Sequence, residues 1–363
     1  MACAGESAPI PSGKQPSRFV STYRTAVVKK VLFIVISIAV TFVLMIYSAT
    51  LGSFDISAEE VFSTIWGEIT MNPNPDATVR HIVIDLRLPR ILGAVICGFA
   101  LAVCGTAMQS MMKNPLADPY TMGISSGASL GAALAIILGF ELVAGGGIVL
   151  NAFVFATVPA LIILSLSRFR KATPTRMILC GISMMYIFGA ITQLFMIISD
   201  PEDLSAVYQW MVGTLEKVDA GDLFIILIVT VLGSIYVQYM ANQLNIMGVG
   251  DESAKTLGVD VDRKRLYVLL TITLMAAAVV SFTGVIGFVG LISPHMVRTV
   301  IGADNKFLIP AAGVFGSVIL LGSDIVARTV VAPQMLPVGV ITACIGGPLF
   351  MFLLLRGRKE TWS

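Results

Sequence analysis

Long stretches without a charged side chain constrain this fold more than any other feature of the sequence. The longest is Leu266–Val297, 32 residues without Lys, Arg, Asp or Glu, and shorter runs of the same kind recur along the chain. About 20 apolar residues are enough to cross a bilayer as a helix. Only 13% of the 363 residues are charged, whereas soluble domains contain about 25%. The sequence therefore predicts an all-α, polytopic membrane protein.

Charged clusters and turn residues divide the apolar runs into predicted spans. The polar connection Gly52–Pro89 follows the first span, with a short surface helix expected at Ile56–Ile65, and Asp200–Asp222 is expected to be an acidic loop. Eight spans are clear: Val31–Leu51, Ile91–Met112, Tyr120–Phe140, Ile148–Ser167, Met177–Ser199, Leu223–Met240, Phe307–Ser323 and Thr329–Leu355. The last of these starts with a turn before Leu336.

The 32-residue run is long for one crossing and short for two. Gly284, Gly287 and Gly290 can break it, with a short return helix ending near His295. If the run crosses the membrane twice, the chain has about ten spans and both termini lie inside. If it crosses once, the basic C-terminal end faces outward. With two crossings, 19 of the 24 Lys and Arg lie inside, as the positive-inside rule requires, and five lie outside, namely Arg80, Arg87, Arg90, Lys217 and Arg328.

The remaining composition predicts one membrane domain without bound metal. Residues 1–26 are polar and rich in Ser, Pro and basic side chains, so we expect a cytoplasmic tail rather than a signal peptide. Residues 27–359 then form a single membrane domain. The five cysteines make no CxxC pair and four lie in apolar runs, where they are expected to pack as small side chains. No disulfide, metal site or cofactor is predicted.

The turn between the second and third spans carries the clearest local motif. It begins with Asn114, Pro115 and Leu116, and a second proline follows four residues after the first. Such a pair cannot lie in one regular helix without loss of amide donors, and Asn and Asp beside Pro favour a tight turn. A GxxxGxxxG series follows. It predicts one helix face on which another helix can pack closely, formed by Gly123, Gly127 and Gly131.

Four stretches, in this order, resemble the permease subunits of type II ABC importers for iron chelates, haem and cobalamin, the FecCD family. The resemblance runs from about residue 51 to residue 356, and any one motif alone would be weak. It implies the permease fold of type II importers, with ten spans, and a transport subunit rather than an enzyme. The four stretches are Arg87–Arg90 (RLPR), Asn114–Ala132, Gly287–His295 (GFVGLISPH) and Leu336–Thr342 (LPVGVIT).

The resemblance also assigns a cytoplasmic gate. In similar permeases the turn that matches Asn114, Pro115 and Leu116 lies at the inner exit of the pathway. The loop between the fourth and fifth spans forms the other part of that gate, and here it contains Ala172 and Thr173. This second stretch matches in position only.

Residues 242–265 form a polar loop in which one or two short helices are expected. Acidic side chains suit the positive N-terminal end of a helix, and a following glycine can end it. From the residues alone this is either a solvated loop or a docking surface. The resemblance implies that coupling helices in it seat on the ATPase, through Asp251, Glu252, Ala254, Leu257 and Gly258.

Three arginines lie at the predicted outer face. Arg87 and Arg90 precede the second span, and Arg328 follows Asp324 by four residues. They are either interfacial side chains whose guanidinium groups reach the surface, with Arg328 paired to Asp324, or docking cations. In related permeases, arginines at these positions receive acidic residues of the extracytoplasmic substrate-binding protein. Guanidinium groups suit carboxylates, so the resemblance favours docking.

The sequence has no GxxxxGK[ST] phosphate loop, and its spans lack the charged pairs typical of proton-coupled carriers. Any energy source is therefore expected on another chain. The resemblance implies an assembly at the cell membrane with a second permease subunit, most simply in a homodimer, two ATP-binding subunits and an extracytoplasmic binding protein. The expected cargo is a metal chelate, with an iron–siderophore before cobalamin and haem. The alternatives are a stand-alone secondary transporter or exporter of a small organic solute, or a membrane scaffold without transport.

Overall fold

The computed structural model is an assembly of helices joined by short connections. It describes residues 18–52, 54, 56–72, 76–143, 147–167 and 173–356. In chain order the helices are α1 (Arg18–Thr50), α2 (Ala58–Ile69), α3 (Ala77–Arg80), α4 (Leu88–Met112), α5 (Ile124–Leu138), α6 (Gly147–Ser167), α7 (Pro174–Ile198), α8 (Pro201–Met211), α9 (Ala220–Tyr239), α10 (Ala241–Val249), α11 (Asp251–Thr256), α12 (Val261–Thr283), α13 (Val289–Ile301), α14 (Asn305–Thr329) and α15 (Val338–Arg356).

The apolar helices account for all predicted spans. Among the described residues, 7 helical stretches are long and apolar enough to cross a membrane. Three shorter apolar helices, α5, α13 and the first part of α15, occupy the positions of the predicted third, eighth and tenth spans. These elements confirm the predicted all-α, polytopic fold class.

The second span begins much earlier than predicted. Helical structure is continuous over Ala77–Met112, 36 residues, whereas we expected the span to start at Ile91. Asp76 caps the start, because its carboxylate accepts a hydrogen bond from the amide of Thr78 at 2.8 Å. A π-helical turn at His81–Arg87 ends two residues before Pro89. Local widening of this kind lets a membrane helix continue through a proline.

The 32-residue run breaks as expected but resumes differently. α12 ends at Thr283, and Gly284 follows with a φ of 69°, a conformation that glycine adopts without strain. α13 ends at Ile301 rather than near His295. Gly290 lies inside α13 and therefore does not break the run. Its backbone packs directly against Gly105 of α4.

Three further boundaries differ from the sequence prediction. α14 continues to Thr329, beyond the predicted end at Ser323, because the charge of Asp324 is paired inside the protein. The acidic loop contains helix α8, which starts with Pro201 in its first turn. α1 begins at Arg18, so the described end of the predicted loose tail is helical.

α4 is the central helix of the bundle. It packs against α9, α12, α13 and α14, and side chains along its length, such as Cys97, Cys104 and Met108, have no exposed surface. α5 packs on α6 and α7 at one side of the bundle. α1 lies at the periphery, where only 17% of its most apolar window is buried. The two ends of α4 therefore lie at opposite ends of the core.

Candidate functional site

The two ends of α4 carry the sequence-predicted transport residues. Arg87 directly precedes the helix and Lys113 directly follows it. A helix of 25 residues is about 37 Å long, at a rise of 1.5 Å per residue. We call the end with Lys113 the turn end and the end with Arg87 the arginine end.

At the turn end, α4 stops in a tight, hydrogen-bonded turn. Lys113 has a left-handed backbone conformation with a φ of 52°, which ends the helix. The Asn114 side chain then accepts a hydrogen bond from the amide of Leu116 at 2.9 Å, an Asx-turn. Leu116 is exposed at the tip, whereas Asp118 is buried. The Asp118 carboxylate accepts from the amide of Tyr120 at 3.0 Å and starts the next helical turn.

Of the three glycines in the GxxxGxxxG series, Gly127 and Gly131 lie on one helix face. A Cβ on Gly127 would collide with the Phe155 carbonyl, and one on Gly131 would collide with the Asn151 carbonyl, so α5 and α6 touch through their backbones. Gly123 does not belong to that face. Its φ of 87° places it in the left-handed turn before α5, next to Gly181 of α7. The prediction of a three-glycine helix face is therefore wrong for Gly123.

The structure describes only part of the predicted second gate element. Ala172 lies outside the described residues. Thr173 precedes α7 and is partly buried, with extended backbone and no side-chain hydrogen bond to the helix start. The turn end lies close to α7, because a Cβ on Gly181 would collide with the backbone of Met122.

Asp251 joins the turn end to the polar loop. Its carboxylate lies 2.7 Å from Lys113 Nζ and accepts hydrogen bonds from Arg265 Nη2 at 2.9 and 3.0 Å. Arg265 is fully buried at the start of α12. Burial would raise the pKa of Asp251, but the hydrogen bonds from Lys113 and Arg265 outweigh it and hold that pKa below its ordinary value. One carboxylate thus bridges α11, α12 and the turn after α4.

The other predicted loop residues form a surface around α11. Ala254 is fully buried and seats the helix. Glu252, Leu257 and Gly258 are exposed, and Gly258 has a φ of 82° just after the helix ends. Leu257 is 69% exposed, and Val249 at the end of α10 is 78% exposed. The turn end therefore presents apolar side chains beside charged ones.

A second polar network, which the sequence did not reveal, holds α10 in place. The Asn245 amide donates to Asp304 at 2.8 Å and accepts from the amide of Asn305 at 2.8 Å. Ser110 of α4 donates to the Asn305 side chain at 2.8 Å. Lys30 of α1 lies 3.5 Å from Asp304. These residues are separated widely in sequence, so spacing alone gives no signal for the network.

At the arginine end, the structure brings all three predicted arginines to one cavity. The cavity has a volume of about 240 Å³ and is also lined by Phe54, Glu216 and Met335. Arg87 donates to the Ala49 carbonyl at 2.7 Å and to the Phe54 carbonyl at 2.6 Å. Its side chain therefore ties the connection after α1 to the start of α4.

Arg90 and Arg328 share one buried carboxylate. Asp324 has no exposed surface and lies 2.9 Å from Arg90 Nε and 3.1 Å from Arg328 Nε. Arg328 also donates to the Ser48 hydroxyl and carbonyl. The pairing of Arg328 with Asp324 was one of the two sequence interpretations, whereas the contribution of Arg90 was not foreseen. All three arginines are largely buried, so they face the cavity rather than open solvent.

Helix α8 lines a larger cavity beside the arginines. This cavity has a volume of about 530 Å³ and lies between α8 and the turn before α15. Glu216 and Met335 line both cavities, so the two are adjacent. α8 was missed in the acidic loop, although Asp200 followed by Pro201 and the apolar spacing of Leu204, Val207 and Met211 is typical of a short amphipathic helix.

Comparison with known proteins identifies the family of the chain. Residues 40–356 match the FecCD transport family. The chain belongs to this family. It is 39% identical over 325 residues to the hemin transport system permease of Yersinia pestis, a match that covers 88% of this chain and 93% of the relative. It is 40% identical over 283 residues to the cobalamin import system permease of Halobacterium salinarum, with 78% and 75% covered.

A solved structure shares the fold of this chain. It is an inward-facing conformation of a metal-chelate type ABC transporter, with a TM-score of 0.79 and 28% identity. The match covers 89% of this chain and 99% of the other chain. Relatives of this chain in the FecCD family are transport permeases rather than enzymes.

Proposed function

We propose that this FecCD-family chain is one half of a dimeric permease that imports a metal chelate with energy from ATP hydrolysis on partner subunits. The observation that carries the proposal is the position of Asp251, which bridges the exposed helix α11 to the turn after α4. A force on α11 would reach that turn through three charged side chains. In the proposed assembly at the cell membrane, the other components are an extracytoplasmic binding protein and two ATP-binding subunits.

Helix α11 is the proposed seat of the ATPase. Exposed Glu252, Leu257 and Gly258 offer an apolar contact with a polar rim, the usual anatomy of a protein interface. Buried Ala254 holds α11 on the bundle. The proposed inner gate is formed by the turn after α4, with Asn114, Pro115 and Leu116, and by Ala172 and Thr173 before α7. Motion of α11 would then change the width of the exit.

The arginine cavity is the proposed docking site for the binding protein. Three guanidinium groups there face one buried carboxylate, Asp324, and the exposed Glu216. The cavity therefore carries net positive charge, which attracts a carboxylate of the partner. On this assignment the turn end is cytoplasmic, and the positive-inside count of 19 among 24 Lys and Arg supports the same orientation.

The proposed cargo is a metal chelate, with a ferric siderophore tested first. Two relatives from Bacillus subtilis are named as permeases for iron(III) chelates. They are an iron(3+)-hydroxamate permease, 34% identical to this chain, and a Fe(3+)-citrate permease, 32% identical. The haem and cobalamin permeases are 39% and 40% identical. Haem and cobalamin therefore belong in the same test.

Uptake into proteoliposomes tests the proposal. The chain is reconstituted with its ATPase and binding protein, and a ferric siderophore, haem and cobalamin are offered in turn. We expect uptake of one class that requires both ATP and the binding protein. Uptake by this chain alone, driven by a pH gradient without ATP, would instead establish a secondary transporter.

A further inference from the structure

Helix α2 has two apolar faces, and only one of them is covered. Val61, Thr64 and Gly67 are buried against the bundle. On the other side Phe62, Trp66 and Ile69 are 69%, 56% and 68% exposed. Their spacing of four and three residues places them in one stripe. The rings of Phe62 and Trp66 are stacked, with centroids 6.2 Å apart.

The exposed stripe is held in a fixed position. Ser57 and Glu60 form a capping box at the start of α2. Near its end, Glu68 accepts two hydrogen bonds from Arg80, at 2.8 and 2.6 Å. Ile56 and Val61 pack in a cluster with Val79 and Val83 of the following helix. The stripe is therefore a rigid apolar surface rather than a mobile segment.

The connections of α2 keep it at the membrane surface. α1 ends at Thr50, a few residues before α2, and the next membrane helix begins at Ala77. α2 packs on the ends of both neighbouring spans. The last turns of α1 also expose apolar side chains, Ile46 and Tyr47 among them, as expected of a peripheral helix in contact with lipid. The stripe thus lies next to a lipid-facing span.

We propose that α2 lies in the lipid–water interface at the arginine end, with the Phe62, Trp66 and Ile69 stripe inserted among the lipid chains near the headgroups. Trp and other aromatic residues concentrate at this depth, and a helix with one apolar face lies there in the plane of the bilayer. The charged side chains of α2 are Glu59, Glu60 and Glu68, so insertion would be driven by apolar contact and not by anionic lipids. The proposal rests on the membrane fold and is independent of the cargo.

Insertion would fix the depth of the arginine cavity. Arg87 donates to the carbonyl of Ala49 in the last turn of α1 and to that of Phe54 in the connection between α1 and α2. Arg80 ties the other end of α2 to the helix that carries Arg87. A helix anchored in the interface would therefore hold the mouth of the cavity at one height above the bilayer.

A tryptophan fluorescence experiment tests the proposal. The chain has three tryptophans, Trp66, Trp210 and Trp362, so W210F/W362F leaves Trp66 alone. This variant of the full chain is reconstituted in phosphatidylcholine vesicles brominated either near the carbonyl or near the methyl end of the acyl chains. We expect Trp66 to be quenched about two-fold more by the bromines near the carbonyl, and to be shielded from iodide in water.

The matched control is W66F/W362F, in which the half-buried Trp210 of α8 remains and shallow lipid quenching is expected to be weaker. A second variant, F62S in the Trp66 background, should lessen lipid quenching while the chain still elutes as a folded protein. Strong iodide quenching of Trp66 with no effect of brominated lipid would overturn the proposal. So would shielding of Trp66 that appears only when the binding protein is added, because a protein would then cover the stripe.

Discussion

Arg87 is the arginine whose replacement reports most directly on docking. Arg90 and Arg328 neutralise the buried Asp324, and removal of one partner from a buried ion pair costs about 3–5 kcal/mol in stability. Arg328→Glu would also set a second carboxylate beside Asp324. The hydrogen bonds of Arg87 described above go to backbone carbonyls, so Arg87→Gln leaves Asp324 fully paired.

We expect Arg87→Gln to weaken binding-protein association about ten-fold at low salt, with a smaller loss at high salt, because salt screens the attraction between Arg87 and a carboxylate of the partner. The permease should remain folded and bound to its ATPase. Lys217→Gln is the matched control, since Lys217 is exposed and does not line the arginine cavity. If the parent and the Arg87 variant have equal affinities for the binding protein at both salt concentrations, Arg87 has no role in docking.

Asp251 makes a pH-dependent contribution to stability. Its pKa is lower in the folded protein than in the unfolded chain, so its stabilising effect is complete above the unfolded pKa and is lost as the pH falls through the folded pKa. In detergent, the unfolding temperature of Asp251→Asn should therefore be lower than that of the parent at neutral pH. In acid the two unfolding temperatures should converge. The control is Asp262→Asn, whose pair with Lys255 is exposed; its difference from the parent should be small. A difference in unfolding temperature between the parent and Asp251→Asn that stays the same at all pH values would contradict a lowered pKa of Asp251.

At the scale of elements, the close approach of α5 and α6 depends on two glycines. Gly127→Ala and Gly131→Ala would each place a methyl group against a backbone carbonyl of α6, so both should lower the unfolding temperature by several degrees. Gly189→Ala is the control, because a Cβ there meets nothing within 4 Å. It should be neutral or stabilising, since alanine favours the helix. Equal effects of the three changes would show that helix propensity, not packing, decides.

Elements were predictable from sequence where a local signal was sufficient. Uncharged runs gave every membrane helix, and Asn114 with Pro115 gave the turn after α4. The continuous helix through Pro89 was missed because a proline normally breaks a helix, and a π-helical turn overrides that rule here. The predicted end of α14 stopped short of Asp324. Of the two arginine partners of Asp324, only Arg328 is close in sequence, whereas Arg90 lies 234 residues away. α8 had a local signal that was overlooked.

For the whole molecule, the break between α12 and α13 decides the topology. An additional crossing there returns the chain to the side on which it began, so both termini should be cytoplasmic. A reporter fused after Lys359 is expected to be active only in a cytoplasmic format. An extracytoplasmic signal from this fusion would reverse every element after α12. A fusion in the connection between α8 and α9 is the control and should report the opposite side.

The 36-residue helix that ends at Met112 has a thermodynamic consequence. At about 54 Å it exceeds the hydrocarbon core of about 30 Å. Arg87 lies about 15 Å from its start at Ala77, and Lys113 directly follows its end. If it tilts as a rigid rod, both ends change environment together. Any ligand at one end that prefers one tilt must then alter affinity at the other, and the reverse effect has the same factor. If the proposed ATPase and binding protein occupy these two ends, the nucleotide state of the ATPase would change the affinity for the binding protein. The loaded binding protein would then change nucleotide affinity by the same factor.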